Sequence, residues 1–444
     1  MDLIPVSVLD VHCYDRIAWG WSKMTQLEAG DRVCIVGGGP AGSLAALHLM
    51  DEARRRDVKL DVTIFEPRNF NMPGPGGCNH CAGLLSHHVT RGLERLGLTL
   101  PSDVIQARIG SYALHLNGEL RQIHPSDPGR EILAVYRGAG PRDNPFAQPV
   151  ASFDQFLLTA AVDRGARLVP HRAVKVAEGL RPQVHTQGES FPADLVILAS
   201  GVNSRSPLDL SFGYRPPKTA VMAQDEVPRP EGWPADRVEA FFKTPPGLVF
   251  GAIIPKGGFL NISLLGKHLP TDAVPAFVES RGHEARLPRL PRSLCGCTPR
   301  VAVRPAGRYY GHRWVAVGDA AVTRLYKDGI GSAMTTTGAA MRAVVGRGVS
   351  SGDFRRWYRP TFRAVARDNL FGRILFRMWS LTLERDRLAE AWLRTFDRES
   401  TRPHEKRPLH RILWGMLTGD EPYERLFRRA MDPSMLWSLA RSLR

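Results

Sequence analysis

The chain has 444 residues, 43% of them hydrophobic and 23% charged, with 60 Lys and Arg against 44 Asp and Glu for a formal charge of +16. That length holds two or three domains with real cores, and the composition excludes a disordered chain, a fibrous repeat or a small disulfide-stapled scaffold. The charge permits an anionic partner, but nine lysines to 51 arginines is a compositional bias and assigns none, and six cysteines are too few for a disulfide framework and point to a reducing compartment.

Residues 1–30 read as an irregular leader. Asp2, Asp10 and Asp15 interrupt it, and it lacks the apolar run and small-residue cleavage site of a secretory signal. No window reaches the ~18 apolar residues of a membrane span. A cytoplasmic protein is expected, with peripheral contact at the inner face of the membrane left open.

At Val33 the pattern sharpens. Val33 to Val36 is an apolar run of buried-strand type, followed by Gly37-Gly38-Gly39-Pro40-Ala41-Gly42 and then a helical pattern over 43–56. Residues 61–66 read as a second buried strand, which completes a strand–helix–strand unit. Gly37, Gly39 and Gly42 form GxGxxG. The first glycine permits the tight turn, the second lets backbone approach a pyrophosphate, and the third lets helix and strand pack closely. The helix start at Pro40 and Ala41 offers free N–H groups to phosphates, from Ala41 onward because proline has none. Glu66 follows Gly42 by 24 residues, where an acid accepts ribose hydroxyls. A separate nicotinamide domain would need a second such motif and none is present, so the resident dinucleotide is expected to be FAD.

Further along, residues 109–123 alternate about Asn117-Gly118, a hairpin signature. Residues 153–164 read as a helix and 195–198 as a third buried strand. Residues 220–265 hold several strand-like runs of an antiparallel sheet. Residues 314–317 form another buried strand, ending in Gly318-Asp319. A glycine-rich turn through Gly329 and Gly331 opens a helix over 331–345. Asp319 suits the ribityl chain, and the helix start suits the flavin pyrimidine edge, where charge builds on reduction. Lys327 and Asp328 read as a solvated turn.

The GxGxxG unit, the segment Ala199-Ser200-Gly201-Val202-Asn203-Ser204 and the Gly318-Asp319 segment together resemble the flavoprotein monooxygenase-like superfamily, and within it the geranylgeranyl reductase family, over about residues 31–350. The middle motif usually reads Ala-Asp-Gly-x-x-Ser, with Ser200 here in place of the Asp. Phe153-Asp154 matches the family's Phe-Asp, but Ser152 precedes it and the usual Arg is missing. Residues 247–255 lie where the family has a strand Pro-x-x-Tyr-x-Trp-x-Phe-Pro lining a lipid pocket. Phe250 keeps an aromatic, while Ala252 and Ile254 replace Trp and Phe. Alternation puts these three on one face as an apolar wall for substrate. Halogenases have a related strand ending Trp-x-Trp-x-Ile-Pro. Both tryptophans are missing here, so a halogenase is not expected.

Cys78 and Cys81 sit where the resemblance places a loop near the flavin, and Cys295 and Cys297 lie shortly before Gly318. Three readings stay open. The four thiolates hold a metal ion or an iron–sulfur cluster; Cys78 and Cys81 form a redox dithiol; or one thiol lines the pocket while the others pack as small hydrophobes. Cys78 or Cys81, through water, is also the candidate proton donor. His80 reads as a loop residue, Cys34 as core, and Cys13 has no assigned role.

Residues 353–444 carry 20 Lys and Arg against 12 Asp and Glu, and five of the nine tryptophans. Arg with Trp suits a helix lying on anionic lipid; the plainer reading is a helical cap on the flavin domain with a solvated basic face. No nucleic-acid motif is present.

The expected fold is α/β. A Rossmann-like FAD-binding domain (about 31–86, 150–210 and 300–350) is interleaved with an antiparallel-sheet substrate domain (about 87–149 and 211–299), and a helical basic C-terminal extension covers 351–444. The resemblance implies an FAD-dependent oxidoreductase, with NAD(P)H or another electron donor, that reduces C=C bonds of an isoprenoid or similar apolar small molecule. The alternatives are an FAD-dependent monooxygenase and an electron-transfer flavoprotein with a four-cysteine centre.

Overall fold

Short apolar runs rich in Val and Ile lie side by side at the centre of the molecule. In the computed structural model they form a six-stranded sheet in the order Tyr310–Gly311, Trp314–Ala316, Leu195–Leu198, Arg32–Val36, Asp61–Phe65 and Arg167–Val169. Every neighbouring pair is parallel except the first. Val33, Ile35, Val196, Ile197 and Val315 are fully buried, as expected of parallel strands covered on both faces. The described residues run from 26 to 443, without 79–81, 117, 142–149, 243–247, 267–268, 271, 284–286, 288–295 and 327.

Pro40–Arg54 packs against the long helix Gly329–Gly346. Both helices are rich in Ala and Gly, which lets their backbones approach. The Cys34 thiol is inert core: burial pushes it up to about 12.

The second sheet has seven strands in the order Arg300–Arg304, Lys218–Pro228, Phe259–Gly266, Leu248–Lys256, Arg237–Phe241, Ser111–Leu116 and Glu119–Ile123. Neighbours are antiparallel except the Arg237–Phe241 and Ser111–Leu116 pair. The hairpin expected about Asn117-Gly118 is the last pair. Gly118 has a φ of +81°, as its turn requires, and Asn117 lies outside the described residues. Arg300–Arg304, expected in the flavin domain, belongs to this sheet instead, because it pairs with Lys218–Pro228.

Beyond residue 350 the chain is helical, with Arg359–Leu383, Asp386–Ser400, Pro408–Thr418, Tyr423–Ala430 and Pro433–Ser442 as its main elements. This region packs in two places. Phe354, Tyr358 and Phe362 join the core of the parallel sheet. Tyr358 donates to the Ala316 carbonyl at 2.9 Å, and Phe362 stacks on Tyr309 with centroids 3.5 Å apart. Leu375, Trp379, Ile412, Trp414 and Leu426 join a different core, which they share with Leu114, Val238, Ala252 and Ile254 of the antiparallel sheet. The beginning of the C-terminal region therefore packs on the parallel sheet, and its later helices join the core of the second sheet. Among the described residues, no helix is long and apolar enough to cross a membrane.

Candidate active site

The first strand ends at Val36, and the chain turns at Gly37 with φ +104°. A Cβ there would lie 2.6 Å from the Ala199 carbonyl oxygen, so both the dihedral and the space demand glycine. A Cβ on Gly42 would overlap the Gly37 carbonyl oxygen. Gly39 precedes the helix at Pro40 in extended conformation, and no side chain caps that helix start. Its first amides are thus directed outward without an internal partner, the arrangement that receives phosphate oxygens.

Glu66 follows the second strand directly. Its Oε2 accepts from the Gly38 amide at 2.8 Å and its Oε1 from the Arg68 amide at 3.0 Å. Burial pushes this carboxyl up, against the pull of the two amides. Each oxygen keeps a lone pair, which is what ribose hydroxyls need. The bare glycine cradle, the uncapped helix start and the anchored acid fit the AMP half of a dinucleotide.

The other half of the cleft is built by the 317–331 segment. Gly318 has φ +58°, and its Cβ would meet Ala41 at 2.6 Å. The Gly318 amide donates to Thr336 Oγ1 at 2.9 Å. Asp319 accepts from the Thr323 hydroxyl, and Gly329 lies against the Asp319 carboxylate.

Two sequence expectations change here. The helix starts at Gly329 rather than Gly331, and its first turn is not free: Asp328 caps it, accepting from the Gly331 amide at 3.0 Å. Asp328 is also no solvated turn residue. Its φ is +54°, Ser86 Oγ donates to it at 3.1 Å, and burial pushes its carboxyl up while Arg324 and His88 pull it down. Lys327 is outside the described residues.

The C-terminal region holds this segment in place. Asn369 donates to the Thr323 carbonyl and accepts from the Leu325 amide, both at 2.8 Å. Tyr423 donates to the Leu325 carbonyl at 2.6 Å. Arg324 donates to the carbonyls of Gly419 and Glu421 and lies 4.0 Å from the Tyr423 ring centroid.

Phe250, Ala252 and Ile254 lie on one face of Leu248–Lys256 and are nearly fully buried. They line a cavity of about 290 Å³ together with Gly37, Gly39, Glu66, Asp319 and Gly329. The expected cofactor cradle and the expected substrate wall thus face one space, with Tyr112, Met222, Val238 and Ser263 around the wall. A broader cavity of about 1400 Å³ continues from it. Arg137, Arg172, Arg205, Gln224 and Arg300 line both.

Cys78 and Cys297 line the broad cavity and not the narrow one. Cys81, Cys295 and His80 lie outside the described residues. Among the described residues, no three His, Cys, Asp or Glu side chains gather as a cation site.

Sequence reasoning missed Arg137. It forms a buried bidentate pair with Asp154, Nη2 to Oδ2 at 3.0 Å. It meets the Phe-Asp helix from 17 residues upstream, where the usual Arg before Phe153 is missing. Phe153 donates its amide to the Tyr136 carbonyl at 2.9 Å, which brings the two segments together. The signal was an arginine closing the apolar run Ile132–Val135, readable only once that run is paired with the helix start.

A family model described as FAD-NAD(P)-binding matches residues 34–80. Kynurenine 3-monooxygenase of Salinispora arenicola (strain CNS-205) is 28% identical over 345 residues, covering 68% of this chain and 70% of that protein. A geranylgeranyl bacteriochlorophyll reductase-like protein of Thermoplasma acidophilum has a TM-score of 0.61 at 17% identity, covering 94% of this chain and 99% of its own. The solved structure of 2-methyl-3-hydroxypyridine-5-carboxylic acid oxygenase has a TM-score of 0.56 at 18% identity, covering 79% of this chain and 91% of that one.

The cradle and the family model define an FAD/NAD(P)-binding domain. The chain as a whole has the fold of flavoprotein oxidoreductases, a fold shared by reductase-like proteins and oxygenases alike.

Proposed function

We propose that the protein is an FAD-dependent oxidoreductase whose substrate lies against Phe250, Ala252 and Ile254. The observation that carries this is the single cavity shared by that wall, the glycine cradle and Asp319. Bound FAD supplies the redox chemistry: a hydride, or with oxygen an oxygen atom.

The chain's own groups do the rest. The Pro40 helix start holds phosphate oxygens, and Glu66 Oε1 and Oε2 accept ribose hydroxyls. The wall orients an apolar body and keeps water off it. Asp328 lines the same cavity, and burial pushes its carboxyl up from the ordinary value, so it is placed to exchange a proton at the wall. Cys78, the earlier proton-donor candidate, lines only the broad cavity, which makes Asp328 the better placed of the two.

Two finer chemistries follow from this reading. Reduction of a C=C bond is supported by the apolar wall and by the resemblance of the 247–255 strand to the reductases. Hydroxylation is supported by the curated relative, named for a monooxygenase. Incubating FAD-loaded protein with NADPH and a candidate substrate separates them. Substrate-dependent oxygen uptake with a hydroxylated product supports the second. Anaerobic formation of a saturated product supports the first. Failure to take up FAD at all would sink both.

We also propose peripheral contact with an anionic membrane surface. Leu370, Ile374 and Leu381 are 52%, 44% and 40% exposed on Arg359–Leu383, on a face that also shows Arg363, Arg367 and Arg377. Co-sedimentation with phosphatidylglycerol vesicles, absent with phosphatidylcholine alone, is the expected result.

A further inference from the structure

The floor of the cleft has two halves. In one row across the antiparallel sheet, Gln224 pairs with Ser263 and Ser263 with Ala252; in the next row, Glu226 pairs with Asn261 and Asn261 with Ile254. Lys218–Pro228 and Phe259–Gly266 therefore present hydrogen-bonding groups. Leu248–Lys256, on the same face, presents Phe250, Ala252 and Ile254.

Most of the polar half is internally matched. Ser263 Oγ donates to Asn261 Oδ1 at 2.7 Å, and Asn261 Nδ2 donates to Glu226 Oε1 at 3.3 Å. Lys256 Nζ lies 3.3 Å from the same oxygen while its side chain is 1% exposed. The charges of Lys256 and Glu226 are opposite and paired with each other.

Gln224 is the exception. It is 6% exposed, and its Oε1 is buried with no partner among the described residues. A buried amide left in that state costs about 1–3 kcal/mol. Such a group persists where something outside the fold completes it. Gln224 lines both cavities, and a half-turn of its terminal amide presents either the oxygen or the nitrogen to them. Neighbouring strands are about 4.8 Å apart, so Gln224 stands about two strand spacings, roughly 10 Å, across from Ala252.

We infer that the substrate is a compact molecule with an apolar body on Phe250, Ala252 and Ile254. It carries a carboxamide or hydroxyl, within roughly 10 Å of that body, hydrogen-bonded to Gln224. A plain hydrocarbon chain leaves Gln224 unpaired and binds poorly. This rests on the oxidoreductase reading of the cleft and adds the class of substrate to it.

The test compares 3-phenylpropanamide with its hydrocarbon isostere, 3-methylbutylbenzene, by titration calorimetry on the full chain with and without FAD. The amide is expected to bind about tenfold more tightly, the equivalent of one hydrogen bond to a buried group. Gln224→Leu removes that ratio. It also raises the melting temperature of the ligand-free protein, because it deletes an unpaired buried amide. Gln224→Met repeats both effects if the Leu variant folds poorly.

Equal binding of the two probes by the natural protein overturns the inference, as does no binding of either. So does a ratio lost in Tyr112→Phe and kept in Gln224→Leu, which would put the polar group at the other edge of the floor. FAD uptake is read separately. Its absence defeats the oxidoreductase reading, while the probe ratio on FAD-free protein still reads the Gln224 subsite.

Discussion

The parallel sheet and the antiparallel floor are both buried, yet they spend their interiors differently. In the parallel sheet, Val33, Ile35, Ile197 and Val315 face packed helices; burial there is apolar and serves stability. On the floor, Gln224, Asn261, Ser263 and Lys256 are also buried, and Gln224 Oε1 lacks a partner among the described residues. A fold gives up stability in this way where a ligand is received. The cradle between the two sheets combines both: its glycines are fixed by close packing, while the amides of its helix start are left uncapped for a ligand.

The largest expected effect comes from breaking that cradle. The Cβ of Gly42→Ala meets a backbone carbonyl, which cannot yield as a side chain would. The cost exceeds the ~1–3 kcal/mol of ordinary overpacking, and FAD is not retained. Copurified flavin absorbance together with a melting curve checks this. A variant that binds flavin normally would mean that the Pro40 helix can move off the strand.

Next in size is Asp154→Ala. It leaves the Arg137 guanidinium buried without its bidentate partner. Breaking a buried pair costs about 3–5 kcal/mol, read by urea unfolding. Because Arg137 lines both cavities, ligand affinity should fall with it. A loss below about 1 kcal/mol, the value of a surface pair, would mean that water reaches the guanidinium.

These two positions also show what the chain discloses before folding. The strand–turn–helix at Gly37–Gly42 was legible because GxGxxG and its flanking strands are local, and the shared face of Phe250, Ala252 and Ile254 was legible because strand alternation is local. Arg137 was not, because its partner lies beyond a 17-residue separation. Asp328 was misread because its burial comes from Ser86, 242 residues away, and from packing against Gly419. Gln224 was invisible for the same reason: whether an amide in a strand finds a partner depends on cross-strand register, which only the assembled sheet sets. The C-terminal helices were legible as helices, but which sheet they cover was not.

The helices that back the floor should respond to pH. Burial pushes Glu399 up to about 7, although the amides of Leu409 and His410 donate to it. Its folded pKa lies above the ordinary ~4.3. Its contribution to stability is therefore complete below that value and is lost as pH rises through about 7. His410 works oppositely. Burial holds it at about 4, so its contribution is present above its ordinary ~6.5 and is lost as pH falls through about 4. Glu399→Gln should remove only the alkaline slope. Relative to the natural protein, the variant gains stability between pH 5 and pH 8, seen as a shift in melting temperature. A constant difference across that range would show that Glu399 is already solvated in the fold.

The smallest expected effect tests the same principle at the far edge of the floor. Tyr112 is 2% exposed, packs edge-on against Trp414 with centroids 5.5 Å apart, and has a hydroxyl without a partner among the described residues. Tyr112→Phe keeps the ring contact and deletes the unpaired hydroxyl, so it should stabilise the ligand-free protein by about 1 kcal/mol. If a ligand group reaches that hydroxyl, the same substitution weakens binding while raising the melting temperature. Stabilisation with unchanged affinity for 3-phenylpropanamide confines the polar contact to Gln224. Destabilisation would mean that the hydroxyl is satisfied in the folded protein, and that the Tyr112 edge of the floor is built for stability in the manner of the parallel sheet.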